Sequence, residues 1–125
     1  MPKDRWRKFF IKSKKLYYSI GFLISPALNL EKVYFSHDGL KHLLMKNNKY
    51  RTIKDQIRRL KLLTFVIDII SNSKKFDKYR IINNTQYWSL YKHYKNKTVT
   101  IIIRKLGDQK IQFYSIMDKK HTSSN

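Results

Sequence analysis

Cysteine is absent from this 125-residue chain, and glycine and proline are scarce, with three and two residues respectively. The absence of cysteine excludes disulfide bonds, thiolate nucleophiles and thiolate-ligated metal sites. The chain also lacks a glycine-rich loop of the kind that cradles phosphates, and it lacks the nucleophile-elbow pattern of serine hydrolases. The sequence therefore excludes nucleotide-dependent and acyl-transfer enzymes.

Acidic residues are also few: eight Asp and Glu stand against 28 Lys and Arg, for a formal net charge of +20. Metal-dependent phosphoryl chemistry needs several oxygen ligands that converge on one place. Here the carboxylates are scattered along the chain, without an H-E-x-x-H motif or a paired acidic motif. We therefore expect no metal site and no other cofactor.

The positive charge is the strongest indication of a partner. Self-repulsion of this size opposes folding, so a polyanionic or acidic partner is expected. Nucleic acid is the first candidate, because each phosphate that is neutralised releases counterions. An anionic membrane surface is the second candidate, and an acidic inhibitor protein can accompany either. A general basic bias of the source proteome is the alternative that requires no partner.

Residues 1–32 are predicted to form a basic, aromatic N-terminal arm or first helix. Their apolar stretch is short and is interrupted by Gly21 and Pro26, so it does not qualify as a transmembrane helix, and we expect no stable membrane insertion. A cleaved signal peptide over residues 1–27, with a basic start and small residues near its end, is the alternative.

Two helices are predicted next, on the basis of apolar spacing and capping residues. Ser36 is a suitable N-cap for a helix that ends at the polar run 46–49. The segment 52–55 matches the capping-box pattern, and apolar residues recur behind it at helical spacing as far as 71–73. These two helices begin the main domain, which we place at residues 33–118.

The second half of the chain has the alternating, β-branched and aromatic character of strands. Four strands separated by short polar turns are predicted, over residues 76–82, 86–94, 98–106 and 110–118. The predicted fold class is α+β, with N-terminal helices packed on one face of an antiparallel sheet of about four strands. Residues 119–125 are predicted to be a polar tail.

Metal-free RNA cleavage is the enzymatic activity that the remaining residues support. The 2′-hydroxyl of the RNA is the nucleophile, so the protein must supply only a base, an acid and cations. His42 lies next to Lys41 on a helix with an apolar face, and a late strand carries the hydroxyls of Tyr114 and Ser115. An ordinary solvated helix histidine is the alternative for His42.

The basic residues of the second predicted helix favour phosphate contacts. A face built for solubility would mix charge signs, whereas this face is almost uniformly positive. Aromatic side chains of the strands are candidates for stacking on bases, although most strand aromatics belong to a core. The predicted RNA-binding residues are Lys46, Lys54, Arg58, Arg59, Lys97, Arg104 and Tyr114.

The order of these segments resembles a known ribonuclease superfamily. F-S-x-x-G-L-K-H-L-L is followed by Arg51, by D-Q-I-R-R-L-x-L-L, and by a β-rich half that ends K-I-Q-F-Y-S-I-M. This pattern, over roughly residues 33–118, resembles the barnase, EndoU, colicin D and RelE-like (BECR-fold) superfamily, in particular its phage-toxin and polymorphic-toxin branches. The resemblance implies helices packed on a curved sheet whose concave face holds RNA. It also implies a 2′,3′-cyclic phosphate product and an acidic immunity protein or antitoxin.

The resemblance also assigns roles to single residues. The Lys-His pair of colicin D-like nucleases matches Lys41 and His42, and the hydroxyl on a late strand matches Ser115. Arg51 is assigned as the phosphate clamp, which completes the predicted catalytic set. The tryptophan expected near the serine has no counterpart, and neither does the catalytic glutamate of barnase, which favours a histidine base.

The sequence thus predicts a single-domain endoribonuclease toxin that acts on RNA in the cytoplasm of a target cell or of the producing cell, after secretion or delivery in the first case. Transfer RNA is the substrate that the resemblance suggests. Two alternatives stay open: a non-catalytic nucleic-acid-binding module, and a cationic membrane-active protein that works through its N-terminal segment.

Overall fold

The computed structural model describes residues 2–121 of the chain. The α-helices are α1 (Lys3–Ile20), α2 (His37–Leu44), α3 (Ile53–Lys61) and α4 (Val66–Asn72). The strands are β1 (Phe22–Ser25), β2 (Glu31–Tyr34), β3 (Met45–Lys46), β4 (Lys49–Tyr50), β5 (Tyr79–Ile82), β6 (Thr85–His93), β7 (Lys97–Leu106) and β8 (Gln112–Lys120). Short 3₁₀ turns cover Pro26–Leu28 and Leu62–Phe65. Among the described residues, no helix combines the length and the apolar character needed to cross a membrane.

The predicted α+β class is confirmed, whereas the predicted sheet is wrong in two respects. The main sheet has six strands in the order β1-β2-β8-β7-β6-β5, and β2 runs parallel to β8, so the sheet is mixed rather than antiparallel. The two additional strands come from the segment that was interpreted as an N-terminal arm. Each is only four residues long, and β2 is attached to β8 through a single register pair, Tyr34 with Gln112. Strands this short leave almost no periodicity in a sequence.

The four predicted strands of the second half are present with small shifts at their ends. The first begins at Tyr79 instead of residue 76, and the last continues to Lys120. Asn83 and Asn84 join β5 to β6 with positive φ angles of 49° and 64°, as a tight hairpin turn requires, and asparagine tolerates this conformation. The turn chemistry therefore fixes the register of this hairpin.

The two predicted helices are present, and each differs from the prediction at one point. Thr52 Oγ1 accepts a hydrogen bond from the backbone N–H of Asp55 at 3.1 Å, which is the predicted N-cap of α3. The helical segment does not run unbroken to residue 72, because a 3₁₀ turn at Leu62–Phe65 separates α3 from α4. The helix α2 ends at Leu44, two residues before the polar run 46–49, and residues 45–50 form the small β3–β4 hairpin.

Ser36 precedes α2 as predicted, but its side chain does not cap the helix. Its Oγ donates instead to Gln112 Oε1 of β8, at 2.7 Å. The hydroxyl of Tyr17 in α1 donates to the backbone carbonyl of Ser36 at 2.6 Å. Both hydrogen bonds attach the start of α2 to other parts of the fold, so the position of this helix is set by tertiary contacts.

One hydrophobic core joins helices and strands. Tyr17 of α1 is fully buried in it, together with leucines of α2, alternate residues of β7, and Phe113 and Ile116 of β8. The predicted boundary between residues 32 and 33 falls inside strand β2. The predicted tail begins inside β8, and its residues 122–125 lie outside the described residues. The buried core residues are Tyr17, Leu28, Val33, Phe35, Leu40, Leu43, Leu60, Leu62, Leu63, Val66, Ile69, Ile70, Leu90, Val99, Ile101, Ile103, Phe113 and Ile116.

Candidate functional site

Two neighbouring cavities meet at His42 and Tyr114. The larger one, of about 730 Å³, lies between α2 and strands β5 to β8, and Ser115 belongs to its lining. The smaller one, of about 250 Å³, is lined by Lys41 and Arg104 in addition to the two shared residues. The fold therefore brings together five of the residues that the sequence predicted: Lys41, His42, Arg104, Tyr114 and Ser115.

A β-bulge in β8 shapes the wall that both cavities share. Ser115 pairs with Ile102 of β7 and Phe113 pairs with Ile103, so Tyr114 has no partner of its own on β7. A bulged strand presents two consecutive side chains that a regular strand would send to opposite faces. Tyr114 and Ser115 can therefore line the same cavity, while Phe113 stays in the core.

The imidazole of His42 is held against this wall without a hydrogen bond. Its ring centroid lies 4.2 Å from that of Tyr114, and its Nδ1 atom is buried with no hydrogen-bond partner. Burial is the largest cause that lowers the pKa of His42, and together with the positive charges of Arg51, Arg59, Arg104 and Lys46 it brings the pKa to about 4. His42 is therefore neutral near pH 7 and can accept a proton.

Ser115 and Arg104 also carry buried polar atoms without partners. Among the described residues, four buried side-chain polar atoms have no partner: Ser115 Oγ, Arg104 Nε, His42 Nδ1 and, in β1, Ser25 Oγ. More than nine-tenths of buried polar groups in folded proteins have a partner, so each exception calls for an explanation. Three of the four belong to residues that line the same pair of cavities, which marks the region as one that a polar ligand can satisfy.

Arg104 is oriented by its neighbours. Its guanidinium carbon lies 4.1 Å from the centroid of the Tyr114 ring, and its Nη2 lies 3.8 Å from Asp38 Oδ2. Stacking on an aromatic face and pairing with a carboxylate leave a guanidinium in a defined plane. The tyrosine therefore supports both the arginine and the histidine of the site.

Arg51, the predicted phosphate clamp, is engaged with the protein. Its Nε donates to the backbone carbonyl of His42 at 3.1 Å, and its Nη1 donates to Asp55 Oδ2 at 3.2 Å. Only 7% of its side chain is exposed, and it belongs to the lining of neither cavity. In this structure Arg51 therefore holds the backbone of His42 from outside the two cavities.

The other predicted RNA-binding residues separate into exposed and engaged groups. Arg59 donates from Nη1 to the carbonyl of Ile116 at 2.8 Å and from Nε to Asp55, so its guanidinium is held inside the fold. Arg58 is about half exposed. Lys97 Nζ lies 3.8 Å from Asp118 Oδ2, a weak ion pair at the far end of β7. The side chains of Lys46 and Lys54 are exposed.

Several cavity residues were not predicted as part of a site. Lys78, Tyr79 and Arg80 line the larger cavity beside Tyr87 and Trp88. The strand prediction covered this segment, and the register of β5 with β6 sets Tyr79 opposite Trp88 and Arg80 opposite Tyr87. The sequence did carry a signal for this part of the cavity, namely the basic residues Lys78 and Arg80 next to a predicted strand that is rich in aromatic residues. Asp38, the partner of Arg104, carried no such signal because an acidic residue at a helix start is common.

Within residues 2–121, no group of three or more His, Asp and Glu side chains is arranged so that it could hold a metal ion. Comparison of the chain with protein-family models, with curated proteins and with solved structures found no match.

Proposed function

We propose that the protein is an endoribonuclease that cleaves RNA without a metal ion, through attack of a 2′-hydroxyl on the adjacent phosphate. The observation that carries the proposal is the placement of three unpartnered polar atoms around two neighbouring cavities that share His42 and Tyr114: His42 Nδ1, Ser115 Oγ and Arg104 Nε. A neutral imidazole can serve as the base of this reaction, a guanidinium can stabilise the developing charge and a hydroxyl can orient the phosphate, while solvent supplies the acid.

His42 acts as the general base in the proposed reaction. Its imidazole takes the proton of the 2′-hydroxyl, the freed oxygen forms a bond to phosphorus, and the bond from phosphorus to the 5′-oxygen breaks. The leaving 5′-oxygen takes a proton from solvent, and the product carries a 2′,3′-cyclic phosphate. Lys41 and Arg104 offset the negative charge that develops on the phosphate, while the Ser115 hydroxyl orients it.

Bound RNA adjusts the strength of the base. A pKa of about 4 keeps His42 neutral in the free protein, although a general base works best with a pKa near the operating pH. A phosphate beside the ring stabilises the imidazolium and raises the pKa of His42. The bound substrate therefore raises the basicity of the imidazole that deprotonates its 2′-hydroxyl.

The roles of the predicted basic residues change accordingly. Arg51 acts through the backbone of His42 and does not contact the phosphate, since it is buried and bonded to that backbone. Exposed cations such as Lys54 and Arg58 contribute to the attraction of RNA to a chain with a net charge of +20. Tyr87 and Trp88 offer aromatic faces to bases in the larger cavity.

The proposal also includes the relationship to the barnase, EndoU, colicin D and RelE-like superfamily and its arrangement of helices on one face of the sheet. It is supported by the shared core of Leu40 and Leu43 from α2 with Phe113 and Ile116 from β8. With that relationship come a toxin role, action on RNA in the cytoplasm, and an acidic immunity protein or antitoxin. The excess of positive charge suits such an inhibitor.

The deciding experiment incubates the purified chain with total RNA, with and without EDTA, and sequences the new ends. We expect cleavage that persists in EDTA and leaves 2′,3′-cyclic phosphates, and we expect His42→Ala to reduce the rate by about a hundredfold or more. The matched control is His121→Ala, at the end of β8. Abolition of cleavage by EDTA would contradict the metal-free reaction, and undiminished cleavage by His42→Ala would remove His42 from it.

The net charge of +20 favours one second candidate, a nucleic-acid-binding protein without catalytic activity. That candidate predicts salt-sensitive binding of RNA or DNA and no new RNA ends in the same experiment.

A further inference from the structure

One carboxylate connects the two halves of the candidate site. Asp55 Oδ2 accepts hydrogen bonds from Arg51 Nη1 at 3.2 Å and from Arg59 Nε at 3.3 Å. Arg51 in turn donates to the backbone carbonyl of His42, and Arg59 donates to the backbone carbonyl of Ile116. The chain of contacts therefore runs from the histidine of α2, through Asp55, to the residue that follows Ser115 on β8.

We infer that Asp55, together with Arg51 and Arg59, is a positioning unit that fixes the His42 ring and the Ser115 hydroxyl relative to each other. Both guanidiniums are mostly buried, with 7% and 13% of their side chains exposed. Charges in such surroundings are weakly screened, and the loss of a shared carboxylate would leave two like charges close together. The unit contacts the backbone carbonyls of His42 and Ile116, and none of its three side chains lines either cavity.

Asp55 is itself fixed at the first turn of α3. Its backbone N–H donates to the hydroxyl of Thr52 at 3.1 Å, so the helix cap determines where the carboxylate stands. Partial burial opposes ionisation of the carboxyl, but the charges of Arg59, Arg51 and Arg58 together lower the pKa of Asp55. The carboxylate is therefore charged at neutral pH, as a bridge between two arginines requires.

The same unit sets the electric field at His42. Four cations act on the imidazole: Arg51 just before α3, Arg59 in α3, Arg104 on β7 and Lys46 on β3. Asp55 is the acidic group bonded to two of them, and Tyr114 of β8 covers one side of the ring. The two arginines that Asp55 holds in place are therefore part of what keeps His42 neutral.

The first test follows the pKa of His42 by NMR titration of the imidazole. Asp55→Asn removes the negative charge and keeps both arginines, so the pKa is expected to fall below its wild-type value. Arg59→Gln removes a positive charge, so the pKa is expected to rise. A purely structural role of Asp55 would only loosen the packing and admit water, which would raise the pKa in both variants. A rise or no change in Asp55→Asn overturns the inference.

Asp68→Asn is the matched control. The carboxylate of Asp68 in α4 accepts hydrogen bonds from Asn72, from Lys92 of β6 and from Tyr94, which follows β6. Like Asp55, it is therefore a carboxylate that connects a helix to other segments of the fold. It belongs to the lining of neither cavity. The His42 pKa of this variant is expected to equal that of the wild type. A shift as large as that in Asp55→Asn would overturn the inference.

RNA cleavage gives the second readout, and this part rests on the proposed function. Asp55→Asn is expected to lower kcat by about tenfold or more, because the reacting groups lose their alignment, while KM changes by less than about twofold. A loss confined to KM overturns the positioning role. If the wild-type chain does not cleave RNA, the proposed function fails, whereas the pKa comparison still decides the inference.

A conservative pair of variants covers the case in which Asp55→Asn does not fold. Arg51→Lys and Arg59→Lys keep the charge but lose the planar fork that binds a carboxylate and a carbonyl at once. Each is expected to lower kcat by about tenfold with KM nearly unchanged. Wild-type kcat in both variants overturns the inference.

Discussion

The imidazole of His42 packs against the phenol ring of Tyr114, with 4.2 Å between the ring centroids and 35° between the ring planes. The guanidinium of Arg104 lies over the same tyrosine ring, at 4.1 Å. Tyr114 is the extra residue of the bulge in β8, so a local irregularity of the sheet brings one aromatic ring to both groups. The neutral imidazole and the cation beside it are thereby both ordered by contact with one tyrosine ring.

Ser115→Ala should separate stability from activity. The Ser115 hydroxyl is buried without a hydrogen-bond partner, so its removal relieves an unsatisfied group and is expected to raise the free energy of unfolding by about 1 kcal/mol. RNA cleavage is expected to fall, because the phosphate loses an orienting hydroxyl. Urea denaturation and cleavage assays on the same samples measure both effects.

Ser89→Ala is the control for the stability part. Ser89 is buried to a similar extent, but its Oγ accepts a hydrogen bond from the backbone N–H of Lys78, so its removal should lower the free energy of unfolding. A loss of stability in Ser115→Ala as large as that in Ser89→Ala would show that the Ser115 hydroxyl is satisfied in solution.

Arg104→Gln should weaken RNA binding in a salt-dependent way. A guanidinium that contacts a phosphate releases about one counterion, so the slope of log affinity against log salt concentration should decrease by about one. Lys14→Gln, an exposed lysine of α1 remote from the site in the sequence, should leave the slope unchanged. Fluorescence anisotropy with a single-stranded RNA at several salt concentrations gives both slopes. Equal slopes for the two variants would remove Arg104 from the interface.

The stability of the chain should fall as the pH is lowered from 6.5 towards 4. The unfolded chain binds a proton at His42 with a pKa of 6.5, whereas burial and the neighbouring cations lower the pKa of His42 in the folded chain to about 4. The unfolded state therefore holds more protons in this window, and the free energy of unfolding decreases as the pH falls. His42→Gln is expected to remove this part of the pH dependence in urea denaturation.

The control for that experiment is His121→Gln, just after β8 and in the lining of neither cavity, and the pH dependence lost in His42→Gln is expected to exceed any change in this variant. Asp68 does not affect the measurement between pH 6.5 and 4. The hydrogen bonds from Lys92, Tyr94 and Asn72 lower its pKa to about 2, so its contribution to the free energy of unfolding is lost only at lower pH. A wild-type slope in His42→Gln would mean that the imidazole is solvated in the folded chain.

Gly39→Ala should destabilise the fold through the contact between α2 and its neighbours. A Cβ at this position would lie 2.6 Å from the carbonyl oxygen of Phe113 and would also collide with the hydroxyl of Tyr17. Relief of such overpacking requires backbone movement, which typically costs about 1–3 kcal/mol. Thermal denaturation measures the loss. A wild-type melting temperature would indicate that α2 lies farther from β8 than the structure has it.

Much of the secondary structure was predictable because its signals are local. The cap at Thr52 and the strands around Gly107 depend on residues within a few positions of one another, and they are present where the sequence predicted them. The short strands β1 and β2 were missed because four residues carry too little periodicity. The parallel pairing of β2 with β8 was missed because it joins segments far apart in the chain.

The candidate site was predictable only in part, for the same reason. The sequence singled out Lys41, His42 and Ser115 by residue type and by resemblance, and they line two cavities that share His42. Neither periodicity nor composition could predict that Arg51 donates a hydrogen bond to the backbone carbonyl of His42, or that Arg59 donates one to the backbone carbonyl of Ile116. Exposed cationic side chains and internal ones look the same in a sequence.

The sequence by itself determined the charge of the chain, the absence of thiol chemistry, the α+β class and the local start and stop of most elements, since each of these depends on composition or on neighbours a few residues apart. Only the tertiary structure decided which polar groups meet. The register of β7 and β8, with its one unpaired tyrosine, turns Ser115 towards the cavity that His42 also lines, and hydrogen bonds between distant segments hold the two in place.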